Sequence, residues 1–76
     1  MARIEQLPKK DRQSSSRHKI AEASYSSFEI DGEKFLQIDT YGTADREMPG
    51  KISQSLQFDK EAAMALMKLI KSEFSL

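Results

Sequence analysis

Asp31-Gly32 stands between two runs of alternating side chains, and no other pair of residues constrains this 76-residue chain as strongly. Asp-Gly is a preferred centre for a two-residue type I′ hairpin. Both central residues must take positive φ, and the twist of that turn matches the twist of the strands it joins. The turn sets a register in which Ile30 opposes Glu33, Phe28 opposes Phe35, Ser26 opposes Gln37 and Ser24 opposes Asp39. Alternation then divides the side chains between two faces. Ala21, Ala23, Tyr25, Leu36, Ile38 and Thr40 form a core-like face. Glu22, Ser24, Ser26, Phe28, Phe35, Gln37, Asp39 and Tyr41 form a polar, solvated one.

Gly42 to Lys51 reads as a loop, with Pro49-Gly50 suited to the centre of a type II turn. A third strand is expected over Lys51–Phe58, with Ile52, Gln54, Leu56 and Phe58 on one side and Ser53, Ser55 and Gln57 on the other. Asp59 is a good helix N-cap, and Glu61 complements the positive end of the helix. The helix is predicted to run to about Phe74. At 100° per residue, Ala63, Leu66, Met67, Ile70 and Phe74 form its central apolar stripe, which Ala62, Ala65 and Leu69 widen. That arc exceeds what one small sheet requires. Ala62, Ala65 and Leu69 are therefore the candidate dimer interface, the alternative being that alanine only supplies helix propensity.

A chain this short buries a modest share of its surface, so extra stabilisation is expected. There is no cysteine for a disulfide or thiolate metal site, and one histidine is too few for a histidine zinc cluster. Homodimerisation is the remaining common route. No apolar run approaches the roughly 20 residues of a membrane span, and the basic N-terminus lacks the apolar core of a secretory signal. A cytoplasmic protein is expected.

Charge is divided along the chain. Residues 1–19 sum to +4 and residues 20–76 to −4. Pro8, the Ser14-Ser15-Ser16 run and sparse apolar residues mark 1–18 as a flexible basic arm ahead of a single small domain over 19–76. Lys9, Lys10, Arg12, Arg17 and Lys19 give the arm its charge. Such arms bind phosphate backbones through counterion release, although a solubilising terminus has the same composition.

Chemistry is weakly signalled. His18 lies between Arg17 and Lys19 with no orienting partner, and Ser14–Ser16 lack a nucleophile–base arrangement. Asp39, Asp45, Glu47 and Asp59 show neither calcium-loop nor paired-acid spacing. Gly42 and Gly50 make no phosphate-binding loop. No enzyme, metal or cofactor is expected. On the polar sheet face, Phe28, Phe35 and Tyr41 could stack bases, with Arg46 and Lys51 flanking them. Alternatively, Phe28 and Phe35 form a cross-strand pair that shields the hairpin end.

The run FLQIDTYGTADREMPGKISQSLQFDKEAAMALMKLI, about half the chain, resembles the end of single-stranded-DNA-binding domains of the positive cofactor four type. Phe35–Tyr41 matches a strand, Pro49-Gly50-Lys51 the end of a loop, Ile52–Phe58 the next strand and Asp59–Phe74 an amphipathic dimerising helix. The resemblance implies Arg46 and Lys51 near phosphates and Tyr41 near a base. The chain departs from the family in its acidic body, and only Ala2–Leu7 is available for the family's earlier strand. The expected fold is α+β: an antiparallel meander of three strands, or four if Ala2–Leu7 adds one, with a C-terminal helix across the core face. The expected function is non-enzymatic binding of single-stranded DNA or RNA with low sequence specificity. The alternative is a protein-interaction module whose acidic body docks a basic partner.

Overall fold

The computed structural model describes residues 1–42 and 51–76. It is an α+β fold: strands β1 (Ala2–Ile4), β2 (Ala23–Ile30), β3 (Glu33–Tyr41) and β4 (Ile52–Phe58) precede helix α1 (Lys60–Phe74). The sheet order is β1-β4-β3-β2, so β1 and β2 are the edges. The Pro49-Gly50 turn, Asp45, Arg46 and Glu47 lie outside the described residues.

The hairpin follows from its turn. Asp31 and Gly32 have φ values of 52° and 80°, the left-handed conformation that a type I′ turn requires. Ile30 opposes Glu33 and the pairing runs to Ala23 opposite Thr40. β4 then pairs antiparallel with β3, Leu56 opposite Ile38 and Phe58 opposite Leu36.

Two strand assignments differ from the sequence reading. The expected all-antiparallel meander is a mixed sheet, because β1 joins β4 in parallel, with Ala2 opposite Leu56 and Ile4 opposite Phe58. Residues 5–22 separate β1 from β2, so no tight turn dictates its direction. The second difference is at Ile52. Thr40 opposes Gln54 but Tyr41 opposes Ile52, so the ladder skips Ser53. One extra residue reverses the alternation. Ile52 thereby joins the polar face rather than the side of Leu56 and Phe58.

Asp59 caps α1 as expected. Its carboxylate Oδ1 accepts a hydrogen bond from the Ala62 amide at 2.9 Å, and Glu61 stands in the first turn. Helix termination is local too: Ser75 turns into the left-handed region at φ 56°. Asp59→Ala should cost about 1 kcal/mol, because the first turn loses an acceptor for an otherwise unpaired amide. Urea unfolding should show a lower midpoint with an unchanged slope.

The helix lies against β3 and β4, and its seating revises the apolar arc. Ala62 is buried, and Leu66 and Leu69 on the same helical face are half-buried. The flank carrying Met67, Ile70 and Phe74 is exposed. Of the residues expected to widen the stripe, Ala62 and Leu69 face the sheet and Ala65 is exposed; of the central stripe, Ala63 and Leu66 are half-buried and Met67, Ile70 and Phe74 are exposed.

Candidate nucleic-acid interface

The polar face of the sheet is more occupied than its composition suggests. Phe35 and Asp39 on β3 and Ser55 on β4 are all buried, Asp39 to 8 % exposure. β3 and β4 are the inner strands, so each of these side chains has neighbours on both sides. Phe28 stacks on Phe35 with centroids 6.0 Å apart and planes at 23°. From β1, Arg3 lays its guanidinium over the Phe35 ring, with Cζ 5.9 Å from the centroid. That is the reach of a cation–π interaction. Phe35 is thus held between a cross-strand aromatic and a cation, and is closed to a stacking base.

Asp39 cannot be buried without partners for its carboxylate. Oδ1 accepts from the Gln37 side-chain amide at 2.9 Å and from the Ser55 hydroxyl. Gln57 in turn donates to Gln37 Oε1 at 2.9 Å. The register explains this ladder, since Asp39 opposes Ser55 and Gln37 opposes Gln57. At the other end of the face, the Tyr41 and Ser24 hydroxyls are hydrogen-bonded at 2.7 Å. No buried side-chain polar atom among the described residues lacks a partner.

A groove of about 300 Å³ opens where β1 meets this ladder, lined by Met1, Ala2, Arg3, Gln37, Ile52, Ser55 and Gln57. Its walls offer a guanidinium and two side-chain amides, groups that can hydrogen-bond a phosphate or a base edge. Among the described residues there is no cluster of three or more His, Cys, Asp or Glu side chains able to hold a metal ion. No helix among them is long and apolar enough to cross a membrane.

The expected site residues are dispersed. Lys9 reaches Glu73 of the helix at 3.9 Å, a pair exposed on both sides. Lys10, Arg12, Arg17 and Lys19 are exposed along the arm, as is His18. Lys51 is exposed beside Ile52 and so lies at the Tyr41 end of the sheet. Arg46 falls outside the described residues. Of the candidate dimer residues, Ala62 is buried within the protomer, Leu69 is half-buried and Ala65 is exposed. Arg3 is the residue that sequence reasoning missed. Three residues, Ala-Arg-Ile, are too few for an alternation to emerge, and the local charge placed Arg3 with the arm.

No protein-family model, curated protein or solved structure matches the chain.

Proposed function

We propose that this protein is a small non-enzymatic binder of single-stranded nucleic acid, DNA or RNA, with low sequence specificity. The observation that carries the reading is the placement of β1. It sets Arg3 over Phe35 at the mouth of a groove lined with side-chain amides, and the exposed basic arm leaves the sheet from the same strand. Affinity comes from the arm cations by counterion release. Arg3, Gln37 and Gln57 supply polar anchoring where the strand crosses the sheet. With Phe35 covered and the Tyr41 hydroxyl engaged by Ser24, hydrogen bonding rather than base stacking dominates there.

A labelled single strand, a duplex and an RNA, each titrated at two salt concentrations, test this reading. Weak, strongly salt-dependent binding of single strands is expected. Arg3→Gln should lower the log–log salt slope by about 0.7 while Arg3→Lys largely preserves it. If the parent protein binds neither DNA nor RNA at low salt, the reading fails. The acidic body and the exposed helix flank then favour a basic protein partner.

A further inference from the structure

From the geometry of β2 we infer that this strand is a self-pairing edge, through which two copies of the chain join their sheets antiparallel into one eight-stranded sheet. The inference does not depend on nucleic acid.

β2 is exposed along nearly its whole length and, among the described residues, has a neighbour on one side only. The Tyr41 amide donates to the Glu22 carbonyl at 3.0 Å, which makes Glu22 and Tyr41 a hydrogen-bonded pair. Such pairs alternate along an antiparallel ladder. Ser24, Ser26 and Phe28 therefore turn their backbone groups toward β3. Ala23, Tyr25, Ser27 and Glu29 turn theirs outward, each with an N–H and a C=O. Proteins normally guard such an edge with lysine, proline, a bulge or shortness. β1, the other edge, has three residues. β2 has eight, reading Ala-Ser-Tyr-Ser-Ser-Phe-Glu-Ile, with Glu29 as its only charge.

A second copy is the occupant that the remaining observations select. Two identical strands satisfy each other when outward residues oppose outward residues. The register centred on Ser26 does this along the strand: Tyr25 meets Ser27 of the second copy, Ala23 meets Glu29, and the two Glu29 side chains stay apart. The two-fold axis then runs perpendicular to the sheet and puts both helices on one face. An apolar hollow of about 270 Å³ lies between α1 and the hairpin, with Ser27, Leu36, Phe58 and Ala63 in its lining. The Ala63 flank of the helix continues through Met67, Ile70 and Phe74. The axis turns the Ala63 side of each helix toward the paired β2 strands, and Tyr25 on the same sheet face is 76 % exposed in the single chain, as is Phe74 to 72 % on that helix flank.

Surface area supports the same conclusion. The chain exposes 7167 Å², against roughly 4,700 Å² for a folded monomer of its mass. The excess is larger than the ~800 Å² per partner of a stable interface. A net charge of zero leaves no overall repulsion between copies, and the +4 arm of one copy complements the −4 body of the other.

Hydrogen exchange on the full chain, read amide by amide at low and high protein concentration, tests the edge directly. The amides of Ser24, Ser26 and Phe28 should be protected at both concentrations. Those of Tyr25, Ser27 and Glu29 should gain protection only where sedimentation shows a dimer. Ser27→Pro removes an outward N–H that the hairpin does not use, so the monomer fold should survive and the dimer should be lost. A parent that sediments as a monomer at every concentration overturns the inference. So does a dimer in which the outward amides still exchange freely. If Ser27→Pro fails to fold, the exchange pattern of the parent decides alone.

Discussion

Replacing Lys9, Lys10, Arg12, Arg17 and Lys19 together by Gln is expected to flatten the salt dependence of single-strand binding by up to roughly 3 log–log units. Each phosphate contact on a single strand releases counterions worth about 0.7 of slope, and all five side chains are exposed. Over a four-fold rise in salt, the parent should therefore lose roughly sixty-fold more affinity than the variant. The fold should be unaffected. Among the described residues, the ion pair that these side chains make, Lys9 to Glu73, is exposed on both sides, and such pairs contribute little. Circular dichroism of the variant checks that point. Tyr41→Ala supplies the contrast. A stacked base would be worth about 1–3 kcal/mol with no change of slope. Because Tyr41 is already bonded to Ser24, a smaller loss is expected. An arm variant whose slope equals that of the parent would show that the arm does not touch phosphate. A silent Tyr41→Ala beside a weakened arm variant would reduce the positive cofactor four resemblance to architecture alone.

Legibility in this sequence followed the range of the forces involved. The hairpin was readable to the residue because Asp31-Gly32 dictates its own φ angles and, through them, every opposing pair from Ile30–Glu33 to Ala23–Thr40. The helix start was equally local, since Asp59 caps a backbone amide three residues away. What escaped was whatever depended on a distant segment. β1 owes its place to residues far along the chain, Leu56 to Phe58, and a three-residue strand carries no periodic signal. The skipped Ser53 changes the side of Ile52, which strict alternation cannot register. The polar face was correctly composed but misread as solvated. The burial of Phe35 and Asp39 depends on the cross-strand stack with Phe28, on Arg3, and on the Ser55 hydroxyl, and only the first of these was visible. On the helix, periodicity defined an apolar arc but not which part of it meets the sheet. Ala62 went in, and Met67 and Phe74 stayed out.

Phe58→Ala should unfold much of the population, and the reason is where Phe58 stands. It ends β4, opposes Ile4 of β1 on one side and Leu36 of β3 on the other, and directly precedes the Asp59 cap. At 5 % exposure it is one of three buried apolar side chains among the described residues, with Phe35 and Ala62. Truncating a buried phenylalanine costs about 3–5 kcal/mol. A chain of this length has a total stability of about 4–11 kcal/mol, so the loss takes a large part of the whole. Urea unfolding should show the midpoint falling steeply. Loss of the β1 and helix signals together would confirm that Phe58 ties those elements to the sheet. A midpoint within experimental error of the parent would show that it is not the core residue its burial implies. Phe74→Ala separates the protomer core from the interface between copies. In a monomer the 72 % exposed ring should change stability by no more than about 0.5 kcal/mol. If pairing through β2 covers the same ring, the Phe74→Ala deficit should grow as protein concentration rises. The Phe58→Ala deficit arises within one protomer and should stay nearly constant. A Phe74→Ala deficit that does not change with concentration would place the ring outside the interface and detach the helix flank from the paired edge.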